Sequence, residues 1–193
     1  MSITALKAGD KEAFARLVDE TSGHIYRVAL QITGNALDAE DVLQETYLKA
    51  FRALPDFEGR SSLTTWLYRI AVNEALMSIR RRKPEALSMD EGGSEPDVES
   101  EGMEIVDFCC LPEGELLSGE ARRFMDKAIQ HLPANLRVVF VMRDLEGLSI
   151  QETTEALGLS ENNVKTRLLR ARLHLRQELS VYFGGKIAEE SRR

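Results

Sequence analysis

Between Pro84 and Glu120 the chain carries twelve acidic residues and not one lysine or arginine. A single hydrophobic core cannot run through such a stretch. Its Pro, Gly, Ser and acidic residues show little periodic apolar pattern, and the surface they could bury does not offset the entropy of ordering them. The sequence therefore falls into two folding blocks. Residues 1–83 carry a net +1, residues 84–120 a net −12 and residues 121–193 a net +4. The overall −7 on 193 residues, taken alone, argues against a nucleic-acid binder. The distribution points the other way, because the acid is concentrated between the blocks. Residues 84–118 read as an acidic flexible linker, with Ile105–Leu111 as a short apolar island suited to docking.

Both blocks read as all-α. In the first, Phe14, Leu17, Val18, Ile25, Val28, Ala29 and Ile32 recur at helical spacing and give one apolar face, ended by Gly34 and Asn35. The run from Asp38 to Asp41 looks like a capped helix start. Val42, Leu43, Thr46, Tyr47, Ala50 and Leu54 then supply a buried side before Pro55. After the loop DFEGRSS, a third helix begins near Leu63 and finishes in Arg80-Arg81-Arg82-Lys83. The second block predicts helices over Glu120–Leu132, Ala134–Leu145, Ser149–Leu157 and from Ser160 to about Tyr182, with Gly184-Gly185 as the stop. Ser149 and Glu152 have capping-box spacing.

Several classes of protein are excluded on expectation. The longest uninterrupted apolar run is Val138–Met142, far too short to cross a bilayer. The opening MSITALKAGDKEAF lacks a cationic start followed by an apolar stretch, so it is not a secretory signal, and a cytoplasmic location is expected. Cys109 and Cys110 are adjacent and cannot staple a small fold. Those thiols and Asp107 are the only suggestion of metal or redox chemistry, and inert thiols are the simpler reading. His24, His131 and His174 are scattered, and no phosphate loop, nucleophile elbow or carboxylate pair is present. No cofactor, metal site or catalytic residue is expected.

The stretch LSIQETTEALGLSENNVKTRLLRARLHL has the form of a helix-turn-helix, with Gly158 in the turn. In its second helix Val164, Leu168, Ala171, Leu175 and Leu179 share a narrow arc and should pack inward. Asn162, Asn163, Thr166 and Arg170 lie opposite. Lys165, Leu169, Arg172 and Arg176 form one shoulder, and Arg167 lies on the other. Amides, a hydroxyl and cations on the first turns suit base edges in a major groove, with flanking cations for phosphates. From Ser160 to Arg176 five cations face one acid. A solvated charged helix is the bland alternative, and the cap, turn and apolar arc together weigh against it.

The stretch DAEDVLQETYLKAFRALPDFEGRSSLTTWLYRIAVNEALMSIRRRK resembles regions 2.2 to 2.4 of bacterial sigma factors of the extracytoplasmic-function (ECF) group. LPANLRVVFVMRDLEGLSIQETTEALGLSENNVKTRLLRARLHLR resembles their region 4. The two motifs stand in the family's order and, with the helix over 11–33, cover about three quarters of the chain. The resemblance implies a region 2 domain over 1–83, the linker over 84–118, a region 4 domain over 119–183 and a tail over 184–193. It implies a non-enzymatic initiation subunit that binds core RNA polymerase and directs it to promoters with −10 and −35 elements. No third DNA-binding domain separates the two, which sets the chain apart from the larger housekeeping class.

By that resemblance Asp41, Gln44, Glu45 and Leu48 dock on the clamp coiled coil of the largest polymerase subunit, and the flap region of the core is a further partner. The spacing i, i+3, i+4, i+7 puts those four residues on one helix face. The loop residues Phe57, Arg60, Ser61 and Ser62, with Trp66 and Asn73, correspond to the part that separates strands and reads the −10 element. A flipped base needs an apolar wall and an amide, and Asn73 offers the amide. Trp66 is either a platform for that base or an ordinary core residue. Arg80, Arg81, Arg82 and Lys83 are candidates for phosphate contact. Arg143, Lys165, Thr166, Leu169 and Arg170 match the family's −35 positions, while Asn162 and Asn163 depart from its pattern. The linker either mimics a polyanion in a basic cleft of the polymerase or is a plain tether. The resemblance also implies an anti-sigma factor as inhibitor, and no small-molecule substrate. A stand-alone helix-turn-helix regulator that dimerises on operator DNA is the alternative. It needs a ligand pocket where this chain has docking surface.

Overall fold

The computed structural model describes residues 3–82 and 119–190, and all regular structure among them is helical. The predicted linker, including Cys109 and Cys110, lies outside the described residues, as does Lys83. The first block holds α1 (Ile3–Lys7), α2 (Lys11–Thr33), α3 (Ala36–Ala53), a short 3-10 turn (Leu54–Asp56) and α4 (Leu63–Arg82). The second holds α5 (Gly119–His131), α6 (Ala134–Phe140), α7 (Ile150–Leu157) and α8 (Glu161–Glu190).

Local chemistry sets the boundaries. Asp10 caps α2, its carboxylate accepting from the amides of Glu12 and Ala13 at 2.9 and 3.2 Å. Gly34 ends α2 in the left-handed region at φ 68°, donating to Leu30 O. The cap of α3 is Asn35, not the expected Asp38. Asn35 is extended and its side chain accepts from the Asp38 amide at 3.1 Å. Asp38 sits inside the first turn, where it favours the positive end of the helix dipole and pairs with Arg82 at 2.6 Å. The Ser149–Glu152 capping box forms in both directions, at 3.1 Å from the Glu152 amide and 2.8 Å from the Ser149 amide.

Two predicted boundaries differ. The single helix expected over Ala134–Leu145 is α6 followed by one turn of π-helix at Val141–Leu145, where Glu146 N–H reaches back five residues to Val141 O. And α8 does not stop at Gly184-Gly185 but runs on to Glu190. Glycine inside a helix costs about 1 kcal/mol, which weakens it without ending it.

The predicted apolar faces are the buried ones. Leu17, Ile25, Val28, Ala29 and Ile32 of α2 pack with Val42, Tyr47 and Ala50 of α3 and Leu67, Ala71, Val72 and Ala75 of α4. The same cluster continues into the second block through Val138, Val141, Met142, Leu148 and Ala156. This explains why α4 has no single apolar face. It is covered by α2 and α3 on one side and by α7 on another. In the second block, Val164, Leu168, Ala171, Leu175 and Leu179 of α8 are all buried.

Candidate nucleic-acid interface

The helix-turn-helix is α7, a left-handed Gly158 at φ 65°, and α8. Ser160 starts α8, its hydroxyl accepting from the Asn163 amide at 3.3 Å. With Val164 and Leu168 anchored below, Asn162, Asn163 and Lys165 stand exposed on the first turns, and Thr166 is partly exposed. Leu169 is an exposed apolar residue on the same shoulder as Lys165. Lys165 pairs with Glu161 one turn earlier at 2.6 Å. Both partners are more than half exposed, so the pair is weak and can give way to a phosphate. Arg170 is partly exposed. Arg143 and Arg167 are partly buried, each with an unpartnered Nε, and Arg143 turns its Nη1 onto Leu148 O. Arg172 is held by Asp144 through two hydrogen bonds of 2.9 and 2.7 Å, which raise its pKa further.

In the first block the loop after the 3-10 turn is held from two sides. Lys7 Nζ donates to Phe57 O at 3.0 Å, and Ser62 caps α4 by accepting from the Thr65 amide at 3.0 Å. Phe57 is buried and turns its ring to Trp66, centroid to centroid 5.1 Å, rather than to solvent. Trp66 is half-buried against the core, so it is partly a core residue and partly open. Arg60 is exposed and pairs with Glu58 at 2.5 Å. Ser61 is partly exposed and Ser62 exposed. Asn73 is exposed on α4, in a line with Arg69 one turn before it and Met77 one turn after. Arg69 and Met77 extend that strip beyond the residues that the sequence singles out, and i, i+4 spacing around Asn73 is the signal for both. Arg80 and Arg81 are exposed on the last turn. Arg82 is committed elsewhere, to Asp38 and to Thr33 O.

On α3, Asp41, Gln44, Glu45 and Leu48 are all exposed on one side. Leu37 and Phe51 flank them and are exposed too, at 72% and 43%, so the strip is apolar at both ends and acidic in the middle.

The two blocks meet at a polar seam that periodicity alone does not show. Glu146, whose side chain is only 6% exposed, accepts from the Tyr68 hydroxyl at 2.8 Å and lies 3.6 Å from Arg27 Nε and 3.4 Å from His24 Nδ1. Burial, and then the neighbouring carboxylate, hold the Tyr68 phenol above its usual pKa. Farther along, Gln130 Nε2 donates to Gln31 O at 2.7 Å and Arg137 Nη1 to Ile32 O at 2.7 Å. These carbonyls belong to the last turn of α2 and have no partner within the helix. A Cβ on Gly34 would meet the Gln130 carboxamide, which would have to shift, and the left-handed φ of 68° is what favours glycine there.

An exposed helix bearing amides and cations after a tight glycine turn, a second helix ending in arginines, and an acidic-apolar strip define an all-α protein with a helix-turn-helix in its second block. Residues 17–85 match Sigma-70 region 2, and residues 125–175 match Sigma-70, region 4. The ECF RNA polymerase sigma factor SigW of Bacillus subtilis is 35% identical over 92% of this chain and 94% of its own. The ECF RNA polymerase sigma-E factor of Haemophilus influenzae is 35% identical over 88% of this chain and 89% of its own. The chain belongs to the ECF sigma factors of RNA polymerase. Two solved structures share the fold at 24% identity. CnrH, solved in complex with the cytosolic domain of CnrY, superposes with a TM-score of 0.66 over 93% of this chain and 95% of its own. The sigma factor RpoE of Bartonella quintana, solved with the anti-sigma factor NepR, gives 0.63 over 88% of this chain and 98% of its own. Among the described residues no helix is long and apolar enough to cross a membrane.

Proposed function

We propose that this sigma factor docks on core RNA polymerase through the α3 strip centred on Asp41, Gln44, Glu45 and Leu48. It reads a −10 element with the Trp66–Asn73 part of α4 and a −35 element with the start of α8. The observation that carries this reading is the exposure of the α3 strip and the first turns of α8 in one chain of this family. An acidic strip with leucine and phenylalanine at its ends suits a basic coiled coil: charge supplies steering and orientation, and the apolar ends supply burial. The −10 surface uses Asn73 for a base edge, Trp66 for its wall, and Arg60, Ser61 and Ser62 at its rim. Phe57 supports Trp66 from below. Arg80 and Arg81 offer charge to phosphates, with Lys83 next in sequence. Lys165, Asn162, Asn163, Thr166, Leu169 and Arg170 form the −35 surface, while Arg143 and Arg167 line its base.

The proposed division is region 2 over 1–83, the acidic linker over 84–118, region 4 over 119–183 and a tail over 184–193. The chain works in the cytoplasm as a subunit rather than a catalyst, with RNA synthesis done by the core. The complexes of RpoE with NepR and of CnrH with CnrY support an anti-sigma factor as its inhibitor. Gel shift of a promoter duplex with the purified chain, core polymerase or both tests the reading. Specific retention only when both are present is expected. Tight binding by the chain alone as a dimer, unaltered by core, would establish the stand-alone regulator instead.

A further inference from the structure

The five residues of α1 are too few to hold helical form on their own. Packing holds them instead. Leu6 is 2% exposed in the core of the first block, and α1 touches both α2 and the 3-10 turn. This helix lies before residues 17–85, the part matched to region 2. Beside the Leu6 anchor, Lys7 reaches across 50 residues of sequence, and its ammonium donates to Phe57 O at 3.0 Å. Phe57 is where the chain leaves the 3-10 turn. Its own N–H closes that turn on Leu54 O at 3.1 Å, and its ring lies against Trp66.

The loop that follows is pinned at both roots and open between them. Ser62 holds the far root, its hydroxyl on the Thr65 amide at 3.0 Å and 2.7 Å from the Thr65 hydroxyl. Between the roots stand Glu58, Gly59, Arg60 and Ser61, with Gly59 left-handed at φ 73° and nothing crowding it. The Arg60–Glu58 pair is 85% and 64% exposed and fixes little. The order of this loop therefore rests on its roots. A hydrogen bond from an exposed lysine adds little to the stability of the whole fold. Its effect falls on the loop: holding the Phe57 carbonyl fixes the direction in which the chain sets out and the seat of the Phe57 ring under Trp66. A loop ordered beforehand loses less entropy when a ligand arrives.

We infer that α1 is a brace for the −10 surface and that Lys7 is its positioning residue: through Phe57 O it sets the root of the 57–62 loop and the seat of Trp66, so that an unstacked base meets a wall already formed. The inference rests on the proposed −10 reading by Trp66 and Asn73. Lys7 touches neither base nor phosphate in it and acts only through Phe57. The buried leucine beside Lys7 keeps the ammonium in place, which a lysine on a loose N-terminal arm could not do.

The test uses the full chain with core polymerase on a duplex that the wild-type holoenzyme selects from a randomised −35/−10 library. 2-Aminopurine in its −10 element reports unstacking by fluorescence. Lys7→Met keeps the stem and removes the donor. Its equilibrium for −10 opening should fall about fivefold, the effect of one hydrogen bond, with core affinity, closed-complex affinity and salt slope as in the wild type. Lys7→Arg keeps a donor and should recover most of the opening. Lys11→Met loses the same charge four residues on and should open like the wild type. Wild-type opening by Lys7→Met, or an equal loss in Lys7→Met and Lys11→Met, would overturn the inference. So would a salt slope lowered by about 0.9 in Lys7→Met, which would make Lys7 a phosphate ligand. If Lys7→Met loses helix content, Lys7→Gln, whose amide falls short of Phe57 O, decides by the same measures. A wild-type holoenzyme that binds the duplex and leaves its −10 element stacked would remove the −10 reading and the inference with it. Failure of the inference alone shows as a promoter that opens equally well with the variant.

Discussion

Arg137→Met should remove a disproportionate share of the stability of this chain. The guanidinium makes four hydrogen bonds: Nη1 to Ile32 O and Gln130 Oε1 at 2.7 and 2.9 Å, and Nη2 to Gln130 O and Leu132 O at 2.6 and 2.8 Å. Three of the acceptors are carbonyls at helix ends, of α2 on one side and of α5 on the other. Burial lowers the pKa of the group, so the charge is held at some expense, and the fork offsets it by saturating those carbonyls. Methionine keeps most of the stem's volume and removes every donor. At about 1 kcal/mol for each carbonyl left without a donor, the loss is about 3 kcal/mol. For a chain of this size that is a fall in melting temperature of about 6–12 °C. Arg137→Lys retains the charge but cannot reach three divergent carbonyls, and should recover less than half. Urea unfolding followed by circular dichroism measures both. A loss under about 0.5 kcal/mol for the methionine variant would refute the idea that these helix ends depend on Arg137.

Further outcomes are expected at the capping box, at a buried ion pair and on the first turns of α8. Ser149→Ala should cost about 1 kcal/mol by opening the capping box under the helix-turn-helix. Its partner Glu152 is held below the usual carboxylate range, first by the Ser149 amide and then by the Ser149 hydroxyl. A depressed folded pKa contributes stability above the unfolded value and loses it as pH falls through the folded one. The gap between wild type and Glu152→Gln should therefore be full at pH 7 and close in acid, which melts at a series of pH values will show. Lys49→Met should cost about 3 kcal/mol by stranding the buried Glu74 carboxylate, 2.5 Å from the lysine, and adding Glu74→Leu should restore most of it in chemical denaturation. With core present, Lys165→Ala should weaken all promoters alike and lower the slope of log affinity against log salt by about 0.9. Asn163→Ala should instead shift sequence preference by about 1–3 kcal/mol in a randomised −35 selection.

The helices and their buried faces are legible in the sequence because each advertises one period. Val164, Leu168 and Ala171 fall on one arc of α8, and Leu17, Ile25 and Val28 on one arc of α2, whatever the rest of the chain does. The turn of the helix-turn-helix is legible because Gly158 and the Ser149–Glu152 pair act over a few residues. α4 is harder to read. It is covered on two sides, so Trp66, Leu67, Ile70 and Ala71 show no single face, and the i, i+4 spacing of Arg69, Asn73 and Met77 marks an open strip only once the packing is known. The seam is not legible at all. Glu146 and Tyr68 are 78 residues apart, and a glutamate after a helix reads as solvated until its neighbours are known. Arg82 reads as a phosphate ligand because it stands in a basic run. Its position beside Asp38 and the end of α2 follows from how two helices cross.

The π turn at Val141–Leu145 amounts to one residue more than a regular helix would use over the same rise. Removing a single residue there would let the backbone settle into ordinary α geometry and leave the flanking turns aimed as they are, because the π turn already absorbs the extra residue. The carboxylate three positions after Arg143 would keep its aim at the tyrosine it meets in the first block. One residue more in α6, with no second bulge to absorb it, would instead rotate everything downstream by about 100° and swing that carboxylate away.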